Sequence, residues 1–279
     1  MRYTYSLHKI SNADSFTFEP AEYSNFKFGD DKVAEKFGKS LALNFIKEVL
    51  SIREDRSQQF VVISSPYSFI PTATFSLKNH FVNILNIWLV SQSFPVVQET
   101  KIYRTITYKE DYGELNAEQR IKLIGDDIFH IDKEFIQNKT LIFLDDIRIT
   151  GSHERMISKM LDNYQINNNS YLVYFAELIN ELIHPNIENY LNYFSIKSIF
   201  DLDNLIESEN FVFNTRVVKF ILNNDSSTFE LFLQNKNNKF LKTLYNMSIG
   251  NSYHLIDVYE KNIGILKNIL SQTIILPVL

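Results

Sequence analysis

The chain has 279 residues, 45% of them hydrophobic and 22% charged, which excludes a disordered chain, a collagen and a coiled-coil rod. Lys and Arg number 28 against 33 Asp and Glu, a net charge of −5, so no global attraction draws the chain to nucleic acid or to an anionic membrane. With no cysteine there is no disulfide and no thiolate chemistry, and zinc would have to be held by histidines and carboxylates. The length suits one large domain or two small ones. The start, Met1 to Lys9, lacks the uninterrupted apolar run of a secretory signal. The longest apolar stretch, around Ile84 to Val90, falls far short of the roughly 18 residues of a spanning helix. A cytoplasmic protein is expected, without membrane or evident nucleic-acid partners; a homo-oligomer is allowed.

The first thirty residues read as irregular or as short strands. Asp30 and Asp31 then open a helix to about Leu50, with Val33, Phe37, Leu41, Leu43, Phe45, Ile46 and Leu50 near helical spacing. Phe60 to Ile63 is continuous and β-branched, the pattern of a buried strand. A loop from Ser64 to Thr72 is fenced by Pro66 and Pro71 and leads to a helix from about Thr74 to Leu89. Val96 to Thr107 has strand composition, Asp111 to Leu115 is polar, and Asn116 is placed to cap a short helix. Thr140 to Leu144 is the clearest strand and ends in Asp145 and Asp146. A helix from about His153 to Tyr164 follows, then a buried strand from Tyr171 to Ala176. Alternating buried strands and amphipathic helices predict an α/β fold, a mostly parallel sheet flanked by helices. After about Ser208 the pattern turns helical, with a capping box at Ser227 to Glu230 and a break at Gly250. Residues 1–209 are therefore read as the α/β core and 210–279 as a helical C-terminal extension. The apolar end, Ile274 to Leu279, is expected to be buried.

The chemistry concentrates in the segment from Leu141 to His153. Ligands of open parallel sheets sit at the carboxyl ends of strands. Two adjacent acids there suit a polyhydroxyl group or a metal. Thr150-Gly151-Ser152-His153 leads into a helix N-terminus, whose N–H groups and dipole suit a phosphate. A diol site beside a phosphate site points to a sugar phosphate. Walker B and receiver strands also end in acids. The first needs an upstream phosphate loop, but no GxxxxGKS/T and no GxGxxG occurs. The second belongs to a much shorter chain.

The same segment resembles the 5-phosphoribosyl-1-diphosphate (PRPP) signature of the type I phosphoribosyltransferases: four apolar residues, two acids, a short spacer and Thr-Gly-x-Thr. The resemblance implies that Asp145 and Asp146 bind the ribose 2- and 3-hydroxyls and act in catalysis. It places Thr150, Gly151, Ser152 and His153 on the 5-phosphate. His153 stands in place of the usual closing Thr. Ile149 stands where hypoxanthine-type enzymes carry an acidic base, which argues against direct purine salvage by that chemistry. Lys101 to Thr105, with Leu115 to Arg120, is similar to the hood of the ComF-like branch, and Tyr23 to Asp30 resembles a segment before that branch's first helix. A surface lysine at Lys27 and a solvated strand charge at Arg104 are the plain alternatives. The resemblance extends over roughly residues 22 to 178 and is closest to ComF-like proteins associated with bacterial tellurium-resistance and stress gene clusters.

By that resemblance the pyrophosphate and hood contacts are Ser65, Tyr67, Lys101 and Arg104, and Mg²⁺ accompanies PRPP. The loop from Ser64 to Thr72 has no Lys, Arg or Gly, so a ligand-free connection stays open beside the pyrophosphate reading. Two functions follow. One is transfer of phosphoribose from PRPP to an unknown acceptor with release of pyrophosphate. The other is a nucleotide- or phosphoribose-sensing module without turnover. Asp126-Asp127, Asp201 and Asp203 read as solvated acids, and His80, His130, His184 and His254 lack metal-ligand spacing.

Overall fold

The computed structural model describes residues 2–52, 59–104 and 129–273, apart from the side chains of Arg104 and Thr273. The chain opens with strand β1 (Arg2–Ile10) and helix α1 (Pro20–Lys27), where the sequence predicts irregular chain or short strands and no helix. The polar run of β1 hides its nature because it lies at the sheet edge, paired on one side only, from Arg2↔Ser170 to Ile10↔Leu178. Helix α1 starts with Pro in its first turn, where the missing N–H costs nothing. Asp30 caps α2 (Asp31–Phe45) by accepting from the Val33 N–H at 3.1 Å, and the helix continues as a π-turn over Ile46–Leu50. Next come β2 (Phe60–Ser64), α3 (Ala73–Ser91), β3 (Gln98–Lys101) and the short antiparallel pair β4 (Tyr103–Arg104) and β5 (Phe129–His130). After α4 (Lys133–Ile136), β6 (Thr140–Arg148), α5 (Ser152–Asn163) and β7 (Ser170–Leu178) complete the sheet.

The main sheet has the order β1-β7-β6-β2-β3, and every pairing in it is parallel. Parallel neighbours require crossovers, and the helices between them cover both faces. On β6, Ile142 and Leu144 join the cluster of α2 and α3, whereas Leu141 and Phe143 join Met156, Ile157 and Met160 of α5. Side chains alternate across a strand, so one apolar run supplies two cores. Each such fully buried side chain contributes roughly 1.5–3 kcal/mol.

The remaining helices are α6 (Ile187–Asn192), α7 (Asp203–Ile206), α8 (Thr215–Leu222), α9 (Ser226–Gln234), α10 (Asn238–Gly250) and α11 (Asp257–Thr273). Helices α8 to α11 enclose their own core, which includes Ile221, Phe229, Leu244 and Leu266 and which reaches the α/β layer through Phe28 and Ile70. The join is close. Gly29 has φ +95°, the Val212 N–H donates to its carbonyl at 2.9 Å, and a Cβ on Gly29 would lie 2.2 Å from the Val212 oxygen. The predicted capping box at Ser227 is displaced: Asp225 is the cap of α9 and accepts from the Ser227 and Thr228 N–H groups, so Ser227 is already helical. The predicted elements between Thr105 and Asp127, with the hood helix at Leu115 to Arg120, and the end from Ile274 to Leu279 lie outside the described residues. Among the described residues no helix is long and apolar enough to cross a membrane.

Candidate functional site

Strand β6 does not stop at the acids. Its pairing with β2 ends at Ser64↔Leu144, while its pairing with β7 continues to Arg148↔Glu177. Asp145 and Asp146 therefore stand where β6 rises past β2, and the space above Ser64 opens beside them. The period-two alternation of the strand carries through the pair. Asp146, in register with Ile142 and Leu144, faces α1, where the Tyr23 hydroxyl donates to Oδ2 at 2.6 Å and the Lys27 ammonium forms an ion pair with the same oxygen. Asp145 faces α5, where His153 Nδ1 donates to Oδ2 at 2.8 Å; on its other oxygen it accepts from Ser65 Oγ at 2.7 Å. The Thr74 hydroxyl lies between them, 3.3 Å from Asp145 and 3.1 Å from Asp146.

The charges fit these contacts. Burial opposes ionisation of Asp145, but the charge and hydrogen bond of His153, the Ser65 hydroxyl and the more distant Lys27 outweigh it and hold the carboxyl well below the usual carboxylate range. Burial, then the negative charge of Asp146, pushes the Tyr23 phenol well above its ordinary value, so Tyr23 is a hydrogen-bond donor. Lys27 is 9% exposed and Asp146 5%: the lysine is a buried counter-ion, not the surface lysine that its sequence context allows.

Beyond β6 the chain turns through Gly151 at φ +67° into α5. That left-handed conformation frees the first N–H groups of the helix and is strained for a side chain with a Cβ. Thr150 and Ser152 share a hydrogen bond of 2.7 Å between their hydroxyls. Arg155, one turn on, donates to the Thr150 carbonyl at 2.8 Å and to Ser152 Oγ at 2.9 Å, which fixes the loop and adds positive charge to it. Arg148, by contrast, is held by two carboxylates, Glu154 at 2.5 Å and Glu177 at 2.7 Å.

A cleft of about 250 Å³ joins these parts; Asp145, Asp146 and the residues Thr150 to His153 line it, with Ser65, Lys27 and Arg216. Seven of the expected contacts, Asp145, Asp146, Ser65 and the four loop residues Thr150 to His153, thus share one space, and His153 is tied to Asp145 as well as lining it. Tyr67 and Lys101 are outside that lining and associate with each other, the ammonium 5.0 Å from the Tyr67 ring centre and 5.1 Å from that of Tyr103. Arg104 lies on β4. Thr74, Arg155 and Arg216 are site residues that carry no local signature, and Tyr23, within the segment that resembles the ComF-like branch, shows its role only when α1 meets β6. Asp201 caps a 3₁₀ turn with Ser198, and Asp203 pairs with Lys236 at 2.6 Å, so both acids have structural partners. Among the described residues no three His, Asp or Glu side chains converge as a metal site.

A strand-end acid pair above a parallel sheet, beside a helix-capping Thr-Gly-Ser loop, is the arrangement expected from the resemblance to the type I phosphoribosyltransferases. The sequence profile of the family described as PRTase ComF-like matches residues 1–266, and the chain belongs to that family. Among solved structures the chain is similar to the hypoxanthine phosphoribosyltransferase of Staphylococcus aureus, at 11% identity and a TM-score of 0.33, over 55% of this chain and 76% of that one. It is similar also to the hypoxanthine phosphoribosyltransferase of Trypanosoma cruzi, at 14% identity and a TM-score of 0.35, over 56% of this chain and 71% of that one. An adenine phosphoribosyltransferase matches at 14% identity and a TM-score of 0.31, over 53% of this chain and 71% of that one. No curated protein matches the sequence.

Proposed function

We propose that the protein binds PRPP and transfers its phosphoribosyl group to a nitrogen or similar nucleophile. The bond from the ribose anomeric carbon to the diphosphate oxygen breaks, with the electron pair leaving on diphosphate. The acceptor's lone pair forms the new bond, and the acceptor loses its proton. The observation that supports this reading best is the single cleft that holds Asp145, Asp146 and the Thr150–His153 loop together. The loop's N–H groups and hydroxyls suit the 5-phosphate. Each carboxylate oxygen has about two lone-pair positions; Oδ1 of Asp145 is filled by Ser65, Thr74 and the Asp146 N–H, but Oδ2 of Asp145, facing His153, and Oδ1 of Asp146, facing Thr74, each keep a position for a ribose hydroxyl. Their negative charge would favour the positive charge that develops on the ribose ring as diphosphate departs. Ser65 is placed to reach the diphosphate, while Tyr67, Lys101 and Arg104 would act from the hood side. Any Mg²⁺ would have the diphosphate as its main ligand, with at most one or two carboxylates, the arrangement Mg²⁺ commonly takes with phosphate substrates; when bound it supplies charge neutralisation on the leaving group.

The sensing alternative draws on two observations. The loop after β2 carries no Lys, Arg or Gly, and the His153 imidazole is engaged with Asp145. Calorimetry with Mg²⁺ separates the readings. PRPP should bind more tightly than ribose 5-phosphate, and pyrophosphate should be released once a suitable acceptor is added. Tight binding of nucleoside monophosphate with no PRPP binding would replace the transferase by the sensor.

A further inference from the structure

The cleft wall made by Ser65, Pro66 and Thr72 bears no positive charge of its own. We propose that Arg216, from the C-terminal helices, binds a second anionic group of the ligand there, the diphosphate of PRPP, so that these helices complete the ligand site. The first turn of α8 is fixed from two sides. Asn214, 3% exposed, caps the helix through the Val217 N–H at 3.0 Å and donates its amide to the Lys27 carbonyl at 3.1 Å. Thr215 donates its hydroxyl to the Ile70 carbonyl at 2.8 Å and its N–H to the Pro71 carbonyl at 2.9 Å. One helix start is thereby tied both to the residue that pairs with Asp146 and to the loop after β2. Arg216 follows directly and lines the cleft.

Asn214, Thr215 and the apolar face of the helix dock α8 on the α/β layer. The Arg216 guanidinium lies 5.5 Å from the Tyr193 ring centre and close enough to Tyr23 for its charge to favour the phenolate. The anion loop reaches Asp145 through His153, and Arg216 acts on Tyr23, the partner of Asp146, so one cationic group stands toward each acid, Arg216 with the buried Glu188 carboxylate in the same cleft lining. A sugar carrying phosphate at one end and diphosphate at the other has that charge pattern. A guanidinium held over an aromatic ring presents a planar fork of donors suited to phosphate oxygens. The Thr72 hydroxyl, in the same wall, is buried and has no hydrogen-bond partner among the described residues, a second donor on that side.

The inference rests on the PRPP reading, and calorimetry in the presence of Mg²⁺ tests the two separately. With Arg216→Gln, PRPP affinity should fall at least 10-fold while ribose 5-phosphate binds as in wild type, because only the diphosphate loses a charged partner. Arg216→Lys keeps a charge without the fork and should lose less; it carries the test if the Gln variant does not fold. Wild-type protein that binds neither ligand would overturn both proposals. Wild-type protein that binds both, with PRPP unchanged in the variants or with both ligands weakened equally, would overturn the role of Arg216 alone.

Discussion

Asp145 and Asp146 are neighbours in sequence but serve opposite faces of the sheet: the first meets His153 of α5, the second Tyr23 and Lys27 of α1. The pleat of β6 imposes this, since the alternation that sends Leu144 to one core and Phe143 to the other continues into the acids. A vicinal diol would thus meet two separate carboxylates, which the Thr74 hydroxyl joins at their base.

The two positions should differ in stability. Asp146→Asn leaves the Lys27 ammonium buried without its counter-charge and should destabilise the protein by about 3 kcal/mol. Asp145→Asn keeps an oxygen for Ser65 and borders the open cleft but gives up the charge that His153 favours, so its cost should be the smaller of the two, about 1–2 kcal/mol. Urea unfolding of the two single variants measures the difference. Equal costs would show that the Lys27 pair contributes nothing beyond a hydrogen bond. Both variants should lose PRPP binding.

At the anion loop, Gly151→Val should weaken binding of inorganic phosphate more than Ser152→Ala. The reason lies in the backbone. A Cβ at Gly151 would meet the flexible ends of Arg148, at 3.3 Å, and Arg155, at 3.5 Å, but φ +67° is the larger obstacle, costly for a β-branched residue on the order of 1–3 kcal/mol. The turn would then relax and re-aim the first N–H groups of α5. Ser152→Ala removes one hydroxyl and one Arg155 contact. Phosphate titration followed by NMR amide shifts of residues 150–154 compares the two; a larger loss for Ser152→Ala would place the hydroxyl above the backbone in importance.

Helix α9 offers a local test. Asp225→Ala removes the acceptor for two N–H groups and should lower the melting temperature, whereas Ser227→Ala, two residues on, loses only the bond its hydroxyl donates to Asp225 and should lower it less. The reverse order would restore Ser227 as the cap.

What the sequence makes readable follows from how local each signal is. Strand β6 and its acids are visible because a continuous apolar run, two carboxylates and a Thr-Gly-Ser turn occur within thirteen consecutive residues, Leu141 to His153. The Lys27–Asp146 pair spans 119 positions, and nothing near Lys27 marks it as buried. Strand β1 is obscured by edge exposure: Arg2, Tyr3 and Thr4 are exposed, and only Ser6 and Ile10 are buried. Arg216 sits on an amphipathic helix, where a charge ordinarily marks the solvent face. Only the contacts of Asn214 and Thr215 with the α/β layer turn it toward the cleft.

His153 gives the most direct test of how the site is charged. The Asp145 carboxyl is depressed from its ordinary value of 3.8 because His153, Ser65 and Lys27 together overcome burial. A depressed acid contributes stability that is fully present above its ordinary value and is lost as pH falls below it. His153→Asn removes the largest of the favourable influences and leaves burial opposed by Ser65 and Lys27 only. The carboxyl should then protonate at higher pH, and acid unfolding should begin earlier than in wild type. Carboxyl carbon shifts of Asp145 report the titration, and circular dichroism between pH 2 and 6 reports the unfolding. PRPP affinity should show the same displacement of its acid limb, because a protonated Asp145 would present the ribose with a hydroxyl donor in place of one anionic oxygen. If the variant titrates and binds as wild type does, the His153–Asp145 contact has no part in charging the site.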